Sequence, residues 1–268
     1  MTANESLADR ALDANASMLA LGCEVFETED ARFVRNRDVP NRWDSNHVSR
    51  IRAATPNAID RLVARARQEF EAPGMLSFEV DYRTPPEFEA RLVQEGFEGD
   101  DGLVMVLEGE LIGGAKPCEI RLVDGDDAWA EYGKLHAIDW KSYREKSDGE
   151  DQSSEDQSSL EGEMLRATRM KAPPARFWMA YVDGHARSYL FSWEGLDGVG
   201  QVEALFTHPD FRHRGLATAL IHHCVADVRA RGAGPVVILA DAADTPKEMY
   251  AAMGFRPVAV KRRYRKRM

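Results

Sequence analysis

A chain of 268 residues suffices for one large domain or two small ones, and needs no disulfide to hold a core. Hydrophobic residues at 44% and charged residues at 30% exclude a disordered chain and a collagen, and no apolar run approaches the ~20 residues of a membrane span. A net charge of -10 disfavours nucleic acid as a partner, and the three distant cysteines, Cys23, Cys118 and Cys224, fit a reducing cytoplasm better than a disulfide framework or a zinc site. The N-terminal stretch carries Glu5, Asp9 and Asp13 without an apolar core, so it does not read as a secretory signal.

In chain order, Pro56–Glu71 is the first clear helix. Ile59, Leu62, Val63, Ala66 and Phe70 fall on one face, with Thr55 as N-cap. Met75–Tyr82 alternates as a strand, Pro85–Gln94 is a short helix ended by Gly96, and Leu103–Leu107 is a short apolar strand. The glycine-rich stretch Glu108–Pro117 is a junction. Beyond it come a strand at Cys118–Val123 and a helix at Asp126–Trp140. Phe177–Val182 and His185–Trp193 form a hairpin about Asp183-Gly184. A strand at Gln201–Phe206 leads to a long amphipathic helix, Leu216–Arg231, closed by Gly232. An apolar strand at Pro235–Ala240, a short helix at Lys247–Met253 and a last strand near Pro257–Tyr264 complete the chain.

The two halves echo each other, ending in Thr84-Pro85…Gly96-Phe97 and Thr245-Pro246…Gly254-Phe255. This reads as a diverged duplication, an N-terminal domain over 1–115 and a second over 116–268. Between Glu145 and Glu163 lies an acidic stretch with the repeat EDQSS-EDQSS. It lacks apolar periodicity and is expected to be a mobile surface loop, either solubilising or steering a cationic substrate. The basic end, Lys261–Arg267, is read as the last strand plus a frayed tail, able to meet that acidic stretch or a phosphate. Arg35–Asn46 is a polar patch read as a solvated loop.

The stretch that carries chemistry is Gln201–Ala219. A strand runs into a loop that delivers Arg212-His213-Arg214-Gly215-Leu216-Ala217 to the start of the long helix. A helix N-terminus offers unpaired N–H groups and partial positive charge to a pyrophosphate. Gly215 would let the backbone approach it, and Arg212 and Arg214 add charge. Taken alone, these residues also describe an ordinary loop entering a helix. The surrounding pattern resembles motif A of the GNAT acyl-CoA N-acyltransferases, Arg/Gln-x-x-Gly-x-Gly/Ala, here Arg212-x-x-Gly215-x-Ala217. Val236–Ala240 and then Tyr250-Ala-Ala-Met-Gly254-Phe255 match the family's following strand, tyrosine and Gly-Phe pair, so the resemblance covers about 118–264.

That resemblance implies an α/β (α+β) fold of two tandem GNAT-like units, each a mixed, mostly antiparallel sheet flanked by helices. It implies an N-acetyltransferase moving acetyl from acetyl-CoA to a primary amine, with no metal. Carried over by position, Arg212, His213, Arg214, Gly215, Leu216, Ala217 and Thr218 would hold the pyrophosphate. Leu205, Phe206 and Thr207 would pair by backbone with the pantetheine arm, the Leu205 N–H polarising the thioester. Tyr250 would protonate the leaving thiolate, unless it only packs a core. Glu203, read as sharing a strand face with Leu205, would take the amine proton, unless it is merely paired or solvated. His208 reads as a loop histidine, and His222-His223 as helix residues without metal spacing. The first half has Ala54–Asp60 where the phosphate turn belongs and Leu92 where the tyrosine belongs, so it reads as a degenerate unit. The expected acceptor is a small-molecule or peptide amine, the compartment the cytoplasm, and the assembly a monomer rather than a homodimer. A non-catalytic acyl-CoA-binding module is the alternative, and a dinucleotide-binding protein is disfavoured because the three-glycine turn is missing.

Overall fold

The computed structural model describes residues 6–40, 42–70, 75–146 and 154–267, with side chains omitted for 143–146 and 154–160. The chain packs as two units: Met1–Val106 with Leu239–Met268, and Leu107–Ile238. The last helix and strand therefore pack with the first unit, although they follow the second in sequence.

Unit 1 opens with α1 (Leu7–Leu19), capped by Ser6, whose hydroxyl accepts from the Asp9 N–H. Its strands are β1 (Glu24–Glu27), β2 (Arg32–Arg35), β3 (His47–Ser49), β4 (Met75–Val80), β5 (Glu98–Leu107) and β11 (Arg256–Arg267), in the order β1-β2-β3-β4-β11-β5. All neighbours pair antiparallel except β3 and β4, which are parallel at Val48↔Phe78. Helix α2 (Pro56–Glu69) starts where expected, the Thr55 hydroxyl accepting from the Ala58 N–H. It and α3 (Pro86–Gln94) cover one sheet face, burying Ile59, Leu62, Phe88 and Leu92 against Val48, Leu76, Phe78 and Tyr264. Burial of this apolar area drives the unit together.

The opposite face of the same strands carries His47 and Ser49 on β3, Ser77 and Glu79 on β4, and Lys261 and Arg263 on β11. All but Arg263 are buried there. Burial pushes the His47 imidazole down to about 4. Burial alone would raise the Glu79 carboxyl, but Arg263 and Lys261 beside it hold it at about 2. The folded His47 thus refuses a proton that the unfolded chain accepts from its ordinary 6.5 downward. Its contribution is complete above pH 6.5 and is lost as pH falls to about 4, costing about 3 kcal/mol. Urea unfolding of the wild type should therefore show stability falling between pH 7 and pH 4.5, and His47→Gln should flatten that fall; equal slopes would refute the assignment.

Two readings of this half change. The basic end is no frayed tail: β11 runs to Arg267, and its cations meet acidic partners across the sheet. Arg262 pairs with Asp101 and Glu89, Arg263 with Glu79, and Arg265 with Asp100. These cross-strand charges also explain why β5 reaches back to Glu98, through residues too polar to read as a strand. Nor is Arg35–Asn46 a solvated loop, because Asn36, Asp44, Ser45 and Asn46 are buried. The Asn46 side chain knits that loop, accepting from the Asn36 N–H at 2.9 Å and donating to the Val39 and Arg42 carbonyls.

Unit 2 contains β6 (Glu119–Leu122), α4 (Gly125–Lys146), α5 (Ser154–Arg169), β7 (Arg176–Val182), β8 (His185–Leu196), β9 (Val199–Thr207), α6 (Leu216–Ala230) and the start of β10 (Val236–Asp241). The order is β10-β9-β8-β7-β6, antiparallel except for β9 with β10. The β7–β8 hairpin turns at Asp183-Gly184, as its sequence predicts. A second hairpin, β8–β9, turns at Asp197-Gly198, both at positive φ, the mirror-image turn that suits strand twist. The core is a ring cluster of Trp129, Tyr132, Phe177, Tyr189, Phe191 and Phe206. Part of the acidic stretch is not a loop: Ser154 onward is helical, as α5. The remainder, 147–153, lies outside the described residues. Helix α7 (Pro246–Ala252), between β10 and β11, packs with unit 1.

Candidate active site

The second hairpin sets the site, because β9 is held on one side and open on the other. It pairs with β8 along its length, but its parallel register with β10 is confined to Val236↔Gly200 and Val237↔Gln201 among the described residues. Its C-terminal half, Glu203–Thr207, therefore presents a backbone edge with no ladder partner on that side.

Within that half, Tyr189 faces Phe206 while Phe191 faces Glu203. Two residues, Ala204 and Leu205, thus oppose Leu190 alone, a β-bulge with Ala204 at φ 60. The bulge corrects the expectation that Glu203 and Leu205 share a face. Alternation slips by one residue, and Glu203 shares its face with Phe206 instead. The Glu203 carboxylate accepts from the Gln201 amide at 3.0 Å and from the Ala204 N–H at 3.3 Å, so it braces the bulge. The Phe206 carbonyl accepts from the Ser188 hydroxyl at 2.6 Å, and that hydroxyl also meets Thr207 Oγ1 at 2.8 Å. Thr207 turns its carbonyl the other way, where Arg212 Nε donates to it at 3.3 Å.

Past β9 the chain makes a short 3-10 turn, Pro209–Phe211, capped by His208, whose ring nitrogen accepts from the Asp210 N–H. His208 therefore serves the turn. His213 takes φ 60 and Gly215 φ 90, and α6 begins at Leu216 with no side chain capping its amides. Glycine is needed at 215 for that left-handed backbone rather than for space, since a Cβ there would meet nothing nearer than Lys116 Cδ at 3.7 Å. The uncapped first turn leaves N–H groups and the positive end of the helix dipole facing outward. Arg212, His213 and Arg214 are exposed around it, with Arg214 stacked over Phe211 at 4.7 Å.

Lys116 was missed by sequence reasoning. It lies far upstream in the Glu108–Pro117 junction, and only the fold brings its stem over Gly215. Lys116, Arg212 and Arg214 have no carboxylate within ion-pair distance among the described residues, in a chain of net charge -10. Lys116→Ala should weaken binding of a diphosphate-bearing ligand at this helix start about three- to tenfold at low salt, and by less at high salt. An unchanged affinity at low salt would remove Lys116 from the site.

Tyr250 sits on α7 in unit 1, buried, with its ring 6.2 Å from that of Phe255. Its carbonyl accepts from the Phe255 N–H at 3.0 Å, closing the helix before Gly254-Phe255. His223 packs edge-on against Trp178 at 4.3 Å, a packing role. No group of three or more potential metal ligands occurs among the described residues. No described helix is long and apolar enough to cross a membrane.

An open-edged, bulged strand thus enters an uncapped helix through a left-handed glycine. Residues 133–255 match the acetyltransferase (GNAT) family model. That match covers just under half of the chain and supports an acyltransferase. Among solved structures, a conserved protein of unknown function from Staphylococcus epidermidis is similar over 92% of this chain and 95% of its own, with TM-score 0.69 and 15% identity. A GCN5-related N-acetyltransferase from Kribbella flavida aligns over 97% and 96%, with TM-score 0.65 and 17% identity. A tandem GNAT protein from the clavulanic acid biosynthesis pathway aligns over 79% and 70%, with TM-score 0.54 and 14% identity. At these identities the likeness shows the shared GNAT fold. No curated protein matches the chain by sequence.

Proposed function

We propose that the protein transfers an acetyl group from acetyl-CoA to a primary amine by direct attack in a ternary complex. The observation that carries this reading is the open half of β9 running into the uncapped α6 through Gly215. Both features suit a phosphate-bearing thioester: the free strand edge can pair with an amide-containing arm, and the helix start with its diphosphate. The cations Lys116, Arg212 and Arg214, which have no carboxylate partner among the described residues, agree with that chemistry.

The thioester supplies an activated acyl group. The bulge leaves the Leu205 N–H outside the regular ladder, free to stabilise charge developing on the acyl oxygen. Glu203, beside the bulge, takes the proton that the amine sheds as its nitrogen bonds to the acyl carbon, directly or through water. The carbon–sulfur bond breaks, and Tyr250 gives the thiolate its proton. The acceptor is a small-molecule or peptide amine, and the protein acts as a monomer in the cytoplasm. Thiol release from acetyl-CoA, measured against a panel of primary amines, tests the reading. Release with at least one amine is expected. Binding of acetyl-CoA without release to any amine would favour a non-catalytic acyl-CoA-binding module, and absence of binding would overturn both.

A further inference from the structure

Strand β9 changes character between Gln201 and Glu203. Among the described residues, Gln201 is the last β9 residue with a ladder partner on both sides, Trp193 of β8 and Val237 of β10. Glu203 lies two residues on, in the half that is open on the β10 side and directly before the bulge at Ala204 and Leu205. A carboxylate on such a stretch has no second neighbouring strand to fix it, and the backbone after it is interrupted.

The two side chains share a face of the strand, because alternation is regular from Gln201 to Glu203. The Gln201 amide donates to the Glu203 carboxylate at 3.0 Å. Toward a carboxylate only the nitrogen of that amide can turn, so its oxygen must face away. Gln201 is 0% exposed, and this oxygen is buried without a hydrogen-bond partner.

Stability does not account for such a glutamine. A buried acceptor without a partner costs free energy, and an unbranched apolar side chain of similar length would occupy the place without that cost. Among the described residues, the one hydrogen bond that the side chain makes goes to Glu203. Departures of this kind from local satisfaction are expected at functional sites.

We infer that Gln201 is a positioning residue: anchored in the doubly paired part of β9, it holds the Glu203 carboxylate in the orientation that receives the amine proton. The second hold is the Ala204 N–H at the bulge, 3.3 Å from the other carboxylate oxygen. With one oxygen held by a side chain and the other by the backbone, the plane of the carboxylate is fixed. Each oxygen can accept more than one hydrogen bond, so both keep lone pairs for the amine or a relaying water. The inference rests on the acyl-transfer reading and on Glu203 as the group that takes the proton.

Steady-state thiol release from acetyl-CoA, with the most active primary amine of the panel, tests it in Gln201→Met, Glu203→Gln and the double variant. Methionine keeps the length of the side chain and removes the amide. Gln201→Met should lower kcat about tenfold or more, leave KM for acetyl-CoA within about twofold, and not lower Tm. A glutamine kept only for packing would show the reverse, a lower Tm with kcat intact. In the Glu203→Gln background, Gln201→Met should cost nothing further, because the group it positions is gone. Gln201→Asn keeps an amide but withdraws it by one methylene. It should lose as much kcat as the methionine variant, so either one carries the comparison. Wild-type kcat in Gln201→Met and Gln201→Asn, or losses that multiply in the double variant, would overturn the inference while leaving the acyl-transfer reading in place. Wild-type kcat in Glu203→Gln would instead remove Glu203 from the chemistry, and release with no amine would remove the acyl-transfer reading; either result takes this inference with it.

Discussion

Replacing Tyr250 by Phe lowers kcat for thiol release by about 10²- to 10³-fold and leaves the affinity for acetyl-CoA within about twofold. The substitution removes one hydroxyl from a buried ring, so the packing against Phe255 survives. In the proposed reaction what is lost is the proton for the leaving thiolate, needed only as the carbon–sulfur bond breaks. An effect on kcat alone marks an interaction made in the transition state, whereas a packing tyrosine would change Tm and leave kcat intact. Steady-state kinetics with thermal melts separates the two. A variant with wild-type kcat would remove Tyr250 from the chemistry.

Gly215→Glu abolishes binding of acetyl-CoA, and Gly215→Ala weakens it by about tenfold or more. The alanine variant isolates the backbone. Open space at this position means a methyl group clashes with nothing, but φ 90 costs an L-residue about 1–2 kcal/mol. The turn then relaxes, and the first amides of α6 lose their common aim. Glutamate adds a negative charge at the helix start, opposing an anionic ligand there. Calorimetry reads both effects, while circular dichroism shows whether the fold persists. Full affinity in Gly215→Ala would mean that the left-handed turn does not hold the ligand.

The helices and central strands were legible because their signals are local. Thr55 and Pro56 mark the start of α2, Asp183-Gly184 marks a hairpin, alternation marks β4 and an apolar run marks β10. The turn that enters α6 was legible for the same reason, since Arg212 to Ala217 is contiguous. What escaped notice depends on partners distant in sequence. The Glu98–Asp101 end of β5 is a strand because β11 brings arginines opposite it. Lys116 reaches Gly215 only through the fold, and the polar layer of His47, Glu79 and Lys261 combines three strands. The β-bulge at Ala204 leaves no mark in a single sequence, because alanine does not announce a positive φ. The Asp197-Gly198 turn and the Ser6 cap with Asp9 are local signals that the sequence also carries.

In the proposed reading the β9–α6 junction is the one working acyl-CoA site of the chain. Titrating the pure protein with acetyl-CoA, alongside Gly215→Glu, tests it most directly. One site per chain is expected in the wild type and none in the variant. Two sites per chain, or binding that survives Gly215→Glu, would contradict it.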